Sequence, residues 1–396
     1  MQHIIPRWLP LALLVVLTLA ALGIRLPQLG DSLWLDELHT AWTVGDDLKD
    51  VAPRAAIGNQ SPLYFYLVWL STKVFGENEL ALRLPSLLAG VLLAPACYLV
   101  VWRWSRSALG GLTAALLAAI DPNFLYYSLE ARPYALVQLT AVAQVYAFWL
   151  ATRDPCWKHR LAWIGLSVAL FYLHYTAVLI VPCALIYWLI VVRSASGPRS
   201  YNLQKLGCDM ALLALLLLPA IGHLMQIAGR RDNWWQFVNT PTLSDVWRLY
   251  PLGVCLATPV IGLYLGAFWR RINGRVSFPR SRTRYKALLL AMLWLVVPLA
   301  IAFILTRFDV AALWMRRYLI ASAAARAVLA GFLYGAIPPL PLRVAVSILT
   351  CLLAVYWFTP SLASLTAGRI VTRSQQDWRA AISALRESSN GKFLYV

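Results

Sequence analysis

The segment from Asp31 to Thr40, DSLWLDELHT, holds the residues whose types are best suited to chemistry. Asp36 and Glu37 are adjacent, and His39 follows two residues later. The segment comes shortly after a hydrophobic run at residues 9–25, and carboxylates are costly next to hydrocarbon. Such a pair therefore predicts a functional site, in which one carboxylate acts as general base toward a hydroxyl group. The alternative is that Asp36 simply caps the start of a helix.

Three other segments place charged residues beside apolar runs. They are Gln60–Arg83, with an aromatic stretch in its middle, Tyr126–Tyr134, with Glu130 and Arg132, and Arg316–Tyr318. His174 and Tyr175 form a further polar turn. Each charge alone has a plain explanation, such as a local ion pair or an arginine that reaches toward lipid headgroups. Together, the arginines and the carboxylate pair suit a phosphate and an activated hydroxyl, because guanidinium groups match phosphate oxygens.

Composition assigns the chain to the all-α polytopic membrane class. Apolar residues make up 60% and charged residues 13% of the 396 positions, about half the charged share of soluble domains. Mean hydropathy is +0.65. The net charge of +18 is concentrated in short loops, as the positive-inside rule expects, so we predict no nucleic-acid partner. The six cysteines have no zinc or disulfide spacing.

The apolar runs predict about eleven transmembrane helices. The runs are 9–25, 62–75, 84–102, 108–126, 134–151, 160–175, 176–192, 208–226, 251–269, 286–305, 318–336 and 341–360. The run 62–75 is too short to cross hydrocarbon and rich in aromatic residues, so we assign it to the membrane surface. This puts the strongly basic loop 270–286 and the N-terminus in the cytoplasm. A long first loop, 26–83, with juxtamembrane helices, and the C-terminal tail then face outward.

A set of ordered motifs resembles a known group of enzymes. The motifs are Trp34-x-Asp36-Glu37-x-x-Thr40, Ser61-Pro62-Leu-Tyr64, Phe75-Gly76-Glu77, Ala81-Leu82-Arg83-Leu84-Pro85-Ser86, Glu130-Ala-Arg132-Pro133-Tyr134, Arg317-Tyr318-Leu-Ile and Asp377-Trp378-Arg379. The chain resembles the protein O-mannosyltransferases and the lipid A aminoarabinose transferases, which are GT-C glycosyltransferases that use polyprenyl-phosphate sugars. The resemblance implies a GT-C transmembrane domain at 1–360 and a short outer tail at 361–396.

The resemblance implies an inverting transfer of a sugar to a hydroxyl acceptor on the outer, periplasmic face of the inner (plasma) membrane. The catalytic Asp of the family falls on Asp36, and we expect Glu37 to position it or the acceptor. Candidates for the donor phosphate are Arg83, Arg132 and Arg317. Candidates for the sugar and acceptor pocket are His39, Tyr64, Glu130, Tyr134, His174 and Tyr318. The expected partners are a polyprenyl-phosphate-linked sugar, membrane lipid and an acceptor that the sequence does not identify.

Two features separate the chain from many relatives. Gln60-Ser61-Pro62 stands where they have His-Pro-Pro, and we expect no outer C-terminal domain as large as the one that many relatives carry. We predict no cofactor and no metal: the oligosaccharyltransferase branch uses a divalent ion, but the outer segments have no D-x-D motif. A membrane transporter, a polysaccharide ligase with a polyprenyl-diphosphate donor and a non-catalytic membrane subunit are the rival functions.

Overall fold

We describe the protein from a computed structural model, which covers residues 6, 8–193, 200–230, 235, 237–246, 256–273, 282–358 and 378–388. Every regular element in these ranges is helical, as the composition predicts. The predicted run 251–269 and the predicted tail 361–396 lie partly outside the described residues. The two ends of the tail, 361–377 and 389–396, lie wholly outside them.

The helices of the first half lead the chain from the membrane span into the polar loop and back. They are α1 (Leu9–Arg25), α2 (Leu35–Val44), α3 (Leu48–Ile57), α4 (Leu63–Phe75), α5 (Glu79–Ser105), α6 (Ala108–Ile120), α7 (Pro122–Ser128), α8 (Tyr134–Arg153) and α9 (Trp157–Leu173). The first loop thus contains three helices, α2 to α4, in agreement with the predicted juxtamembrane helices.

The second half continues after a short polar turn at His174. A 3₁₀ segment (Tyr175–Ile180) and a π segment (Trp188–Val192) flank α10 (Val181–Tyr187), followed by α11 (Leu203–Leu217), α12 (Ile221–Gly229), α13 (Thr258–Ile272), α14 (Arg282–Arg307), α15 (Ile320–Ala323), α16 (Ala325–Ala336), α17 (Leu340–Phe358) and α18 (Trp378–Ser388). In α18, the apolar residues Trp378, Ile382 and Leu385 are exposed.

Six helical segments of the described chain are long and apolar enough to cross a membrane. They are Leu9–Gln28, Glu79–Ser105, Tyr134–Arg153, Tyr175–Val192, Leu203–Gly229 and Arg284–Arg307. A seventh arises if α6 and α7, which are bent by 58°, count as one span. The chain is a multi-pass membrane protein. The predicted number of eleven is unconfirmed, because α9 and α13 have 17 and 15 residues, against the 20 or so that span hydrocarbon.

Helix α5 lies at the centre of the bundle and contacts α1, α4, α6, α8 and α16. Close approach between α6 and α16 depends on glycine, because a Cβ on Gly110 or Gly331 would collide with the backbone of the other helix. A buried ion pair stabilises the bend between α6 and α7. There, Asp121 accepts a 2.9 Å hydrogen bond from the Asn123 amide and pairs with Arg326 at 2.8 Å.

Helix α8 connects the two ends of the bundle, since 20 residues of α-helix extend about 30 Å. At its far end, the Arg160 guanidinium donates to both oxygens of Asp209 at 3.0 Å, and the Tyr201 hydroxyl donates to the same carboxylate at 2.7 Å. This cluster joins the start of α9 to α11 and to Tyr201, which precedes α11. The near end of α8, at Tyr134, carries the site described next.

Candidate active site

The adjacent residues Asp36 and Glu37 open helix α2 and point in different directions. Successive residues of a helix are rotated by about 100°, so the two carboxylates cannot share one environment. The Glu37 side chain is fully buried, whereas the Asp36 side chain is 28% exposed. Both carboxylates lie in the first turn, where the helix dipole favours negative charge. The sequence predicts that the two adjacent carboxylates have different environments, and in the structure the buried one is Glu37.

Glu37 is joined to Arg83 in a closed, fully buried ion pair. The Arg83 Nε donates to Oε1 at 2.8 Å and Nη2 donates to Oε2 at 2.7 Å. Oε1 also accepts from the Ala131 amide at 2.8 Å, and Oε2 from the Trp34 amide at 3.3 Å. Glu37 therefore ties α2 to α5 and to the segment that precedes α8.

Arg83 has all five of its donor hydrogens engaged. Besides Glu37, its guanidinium donates to the carbonyl oxygens of Leu29 at 2.6 Å, Asp31 at 2.7 Å and Ser32 at 3.3 Å. The side chain has no exposed surface. This geometry argues against the predicted role of Arg83 in phosphate binding, because a phosphate would have to displace a complete set of bonds. Sequence could not separate Arg83 from the other arginines, since all three stand beside apolar runs.

The Asp36 carboxylate lies between two other arginines, and here the contacts are long. Its Oδ2 is 3.7 Å from Nη2 of Arg132 and 3.9 Å from Nη1 of Arg317. Arg132 also reaches the Asp36 carbonyl oxygen at 3.4 Å. The Nε atoms of both arginines are shielded from solvent and have no hydrogen-bond partner among the described residues. Buried guanidinium donors without a partner are rare and suit an anionic ligand.

The segment that carries Arg132 is fastened to α2 and α5. The Thr40 hydroxyl donates to the Ala131 carbonyl at 2.9 Å, opposite the amide bond to Glu37. The Ser86 hydroxyl donates to the Arg132 carbonyl at 2.7 Å. Glu130 is only 1% exposed. The predicted role in the sugar and acceptor pocket requires an accessible side chain, so the position of Glu130 does not support that role. These bonds fix the Arg132 backbone while its guanidinium projects toward Asp36.

Tyr64 does not face open space: it is buried next to Ser86, which bonds the segment that carries Arg132. Its hydroxyl shares a 2.8 Å hydrogen bond with the Ser86 hydroxyl, and the residue is fully buried. The prediction that Tyr64 contributes to a sugar pocket therefore has no support from its position. The aromatic stretch 62–75 indicated an interfacial helix, but the sequence contains no sign of which face of that helix is covered by α5.

Three of the predicted pocket residues form a row of rings beside the arginines. The His174 ring lies 5.8 Å from that of Tyr134 and 5.9 Å from that of Tyr318. Arg317 lies over the Tyr318 ring at 5.5 Å. Burial, together with the charges of Arg132 and Arg317, lowers the pKa of His174 to about 3. The imidazole is therefore neutral at physiological pH and hydrogen-bonds the Thr176 hydroxyl at 2.8 Å.

A cavity of about 460 Å³ opens next to the Asp36 carboxylate. Its lining is formed by Leu35, Asp36, Leu38, His39, Trp42, Gly58, Gln60 and Arg132. Residues 35, 38, 39 and 42 share one face of α2, as helical spacing requires. Of these residues, His39 and Gln60 stand out in the sequence, whereas Trp42 and Gly58 do not, although the helical spacing from Leu35 to Trp42 indicates that Trp42 shares a helix face with Leu35.

The residues around Asp36 do not fit a divalent metal ion. Such ions are held by several oxygen ligands, but the neighbours of Asp36 are two guanidinium groups and Glu37 is bonded to Arg83. In the described part of the chain, a metal-like trio of side chains is found at Asp154, Cys156 and His159. That trio follows the far end of α8, remote from this site.

Comparison with known proteins supports the predicted resemblance. The family model for dolichyl-phosphate-mannose-protein mannosyltransferase matches residues 59–234. An uncharacterized protein of Aquifex aeolicus (strain VF5) is 24% identical over 245 residues, which are 62% of this chain and 47% of that protein. The chain thus spans about half the length of this curated relative.

Two solved structures share the fold. ArnT from Cupriavidus metallidurans in the apo state matches with a TM-score of 0.54 and 15% identity, over 87% of this chain and 63% of ArnT. The Archaeoglobus fulgidus oligosaccharyltransferase, in complex with Zn and sulfate, matches with a TM-score of 0.51 and 15% identity, over 97% of this chain and 57% of its own. The all-α GT-C fold predicted from the sequence is confirmed, and the chain resembles the PMT-like glycosyltransferases.

Proposed function

We propose that the protein is a membrane glycosyltransferase that transfers a sugar from a polyprenyl-phosphate donor to a hydroxyl acceptor. The observation that carries the proposal is the Asp36 carboxylate held between Arg132 and Arg317 at the edge of a cavity. The matching family model, whose description specifies a dolichyl-phosphate-linked mannose, supports a lipid-phosphate donor.

Arg132 and Arg317 are the proposed donor-phosphate ligands. Their long contacts to Asp36 leave two Nε donors without partners, so an incoming phosphate gains hydrogen bonds and displaces few. A phosphate between them also draws the guanidinium groups away from Asp36. The carboxylate then becomes available as a hydrogen-bond acceptor for the attacking hydroxyl.

The proposed reaction is a single displacement. The acceptor oxygen bonds to the anomeric carbon, the bond from that carbon to the phosphate oxygen breaks, and the hydroxyl proton passes to Asp36. The lipid phosphate leaves as an anion stabilised by Arg132 and Arg317, so no strong general acid is required. Attack from the face opposite the leaving group inverts the anomeric configuration.

Glu37, Arg83 and Tyr64 are proposed to position these groups rather than to contact substrate. The first two fix α2 against α5, and Tyr64 supports Ser86, which bonds the Arg132 carbonyl. The row Tyr134, His174 and Tyr318 adjoins the arginines on the proposed donor side. Its neutral imidazole adds no positive charge that would retain the phosphate product.

The convergence of distant segments on one cavity favours an enzyme over a transporter. A transporter predicts ionisable groups along a path through the bilayer. Here the segments of Asp36, Arg132 and Arg317 meet at one site beside the first loop. The proposed location of this site is the periplasmic face of the inner membrane, because the distribution of basic residues in the sequence puts the first loop, 26–83, outside.

The test is transfer of radiolabelled sugar from a panel of polyprenyl-phosphate donors by purified protein in lipid, with a membrane extract as acceptor. Wild type and Asp36→Asn are compared, because this change keeps the shape and removes the base. Transfer by wild type alone, with retained donor binding and an inverted anomeric centre in the product, is the expected result. Equal transfer by both proteins would remove Asp36 from the mechanism, and transfer only from a lipid diphosphate would indicate a ligase.

A further inference from the structure

The cavity beside Asp36 is lined by only one of the two proposed phosphate ligands. Arg132 is part of its wall, whereas Arg317, the second phosphate candidate, is not. An inverting displacement needs the acceptor and the leaving phosphate on opposite sides of the anomeric carbon. With the phosphate between Arg132 and Arg317, we infer that the acceptor hydroxyl approaches Asp36 from this cavity. The residues that line the cavity would then determine which acceptor the protein uses.

The walls of the cavity add no net charge. Asp36 and Arg132 are its charged residues, and their opposite charges compensate each other. Arg54 is close by, and its charge is compensated by Asp46: its guanidinium pairs with that carboxylate, donates to the Trp42 carbonyl at 2.7 Å and lies over the Trp42 ring at 5.0 Å from the ring centre. A charged acceptor would lose its hydration in this cavity without finding a partner of its own.

His39 forms one wall as an uncharged ring. Its imidazole packs at 5.6 Å from the Trp42 ring and 6.3 Å from the Phe65 ring, and neither ring nitrogen has a partner among the described residues. Burial and the charge of Arg132 lower the pKa of His39, while Asp36 opposes them. This wall is therefore neutral under physiological conditions.

Gly58 determines where the His39 ring lies. A Cβ at Gly58 would be 2.5 Å from Cε1 of His39, a distance that forces the ring to move. The Gly58 backbone has φ −77°, which every residue type adopts, so only space requires glycine here. Next to it, Gln60 contributes a neutral amide that can both donate and accept.

We propose that this cavity is an acceptor subsite selective for an uncharged saccharide. Trp42 is 46% exposed and, beside the Arg54 guanidinium that lies over its ring, still offers aromatic surface of the kind on which a sugar ring packs. Gln60 supplies neutral hydrogen bonds to hydroxyl groups, and the volume is within the range of small-molecule sites. Selectivity arises mainly by rejection, because a carboxylate or ammonium on the sugar is left without a counter-charge. The inference rests on the proposed function and specifies its acceptor.

The experiment uses three alkyl hexosides of equal size as acceptors: a neutral hexoside, the matching hexuronide and the matching amino-hexoside. Transfer from the donor is measured for wild type, Gly58→Ala, Gln60→Ala and the control Gly45→Ala in detergent or lipid. Gly45 ends α2, the helix that carries His39 and Trp42, as Gly58 ends α3, and a Cβ on Gly45 meets only ordinary contacts at 3.4 Å or more. Hydrolysis of the donor without acceptor is recorded in parallel.

The expected result is preference for the neutral hexoside by about tenfold or more in kcat/KM. Gly58→Ala and Gln60→Ala raise the KM for that acceptor more than they raise the donor KM, and Gly45→Ala behaves as wild type in all three measurements. Equal use of the charged acceptors, or a Gly58→Ala variant indistinguishable from Gly45→Ala, would overturn the subsite. Absence of both transfer and donor hydrolysis in wild type would instead contradict the proposed function itself.

Discussion

Two neighbouring carboxylate–arginine clusters of this protein have opposite characters. In the cluster of Glu37 and Arg83, every guanidinium donor is engaged at 3.3 Å or less and no side-chain surface is exposed. In the cluster of Asp36, Arg132 and Arg317, the charges are 3.7 to 3.9 Å apart beside a cavity. We therefore assign a structural role to the closed cluster of Glu37 and Arg83, and a ligand-binding role to the open cluster of Asp36, Arg132 and Arg317. The two clusters differ in this way although Asp36 and Glu37 are consecutive in sequence.

Opening the closed cluster has the largest expected effect on stability. Arg83→Met leaves the Glu37 charge buried without its partner, and this costs about 3–5 kcal/mol. Thermal or denaturant unfolding in detergent measures it. The double variant Glu37→Met/Arg83→Met removes both charges and recovers part of the loss, but the carbonyls of Leu29 and Asp31 remain without donors.

Arg160→Met is the matched control for this prediction. Arg160 also pairs with a carboxylate, Asp209, but at the far end of the bundle and with 23% of its side chain exposed. We expect a smaller loss of stability and unchanged donor KM. If Arg83→Met were no less stable than Arg160→Met, the closed cluster would not have the structural role assigned to it.

Weakening the open cluster changes ligand affinity and leaves stability nearly unaltered. Arg317→Ala removes charge-assisted hydrogen bonds to the donor phosphate and is expected to raise the donor KM about 10- to 100-fold. Arg316→Ala, at the adjacent exposed position, is the control and changes donor KM little. Equal effects of both substitutions would show that the contribution is a general surface charge. The Arg317 effect also declines at high ionic strength less than a surface charge effect does.

Several features of the fold and of the two carboxylate–arginine clusters could be predicted from the sequence. The helical character, the aromatic helix α4 and the divergence of two consecutive carboxylates follow from composition and helix geometry. The identity of the inner carboxylate does not, because Asp36 and Glu37 occupy equivalent first-turn positions. Arg83 and Arg132 likewise stand in similar contexts, and only the packing of α5 against the first loop decides that Arg83 is surrounded by carbonyls.

The cavity was the part of the site least accessible to sequence reasoning. Trp42 lies in α2 and Gly58 follows the end of α3. Neither residue type by itself indicates a functional site. Their pairing depends on how α2, α3 and α4 pack. The number of spans also stays unconfirmed, because apolar runs do not reveal where a helix breaks and six or seven segments of the described residues are long and apolar enough to cross.

The smallest expected effect is a pH dependence that originates at His174, beside the open cluster. Its pKa is about 3 in the folded protein and about 6.5 when unfolded. Between these values the unfolded chain binds a proton that the folded protein does not, so stability falls as pH decreases below about 6.5. From pH 7 to pH 5 the loss is about 1–2 kcal/mol. His174→Gln lacks this contribution.

The measurement is the unfolding midpoint of wild type and His174→Gln at pH 7, 6 and 5. The difference between the two proteins removes the contributions of carboxylates that titrate in both. We expect wild type to lose stability relative to the variant as pH falls. If the unfolding midpoints of the two proteins changed in parallel with pH, His174 would not be buried and neutral. The proposal that no positive charge on His174 competes for the donor phosphate would then lose its support.

The most direct test of the central claim compares Asp36→Asn with Glu37→Gln in one preparation each, by sugar-transfer rate, donor affinity and unfolding midpoint. The division of roles predicts that Asp36→Asn keeps the wild-type midpoint, binds donor at least as tightly, and transfers about 10²- to 10⁴-fold more slowly. Glu37→Gln is predicted to lose stability first. Wild-type transfer by Asp36→Asn, or a fully stable Glu37→Gln with the same catalytic loss, would contradict the claim.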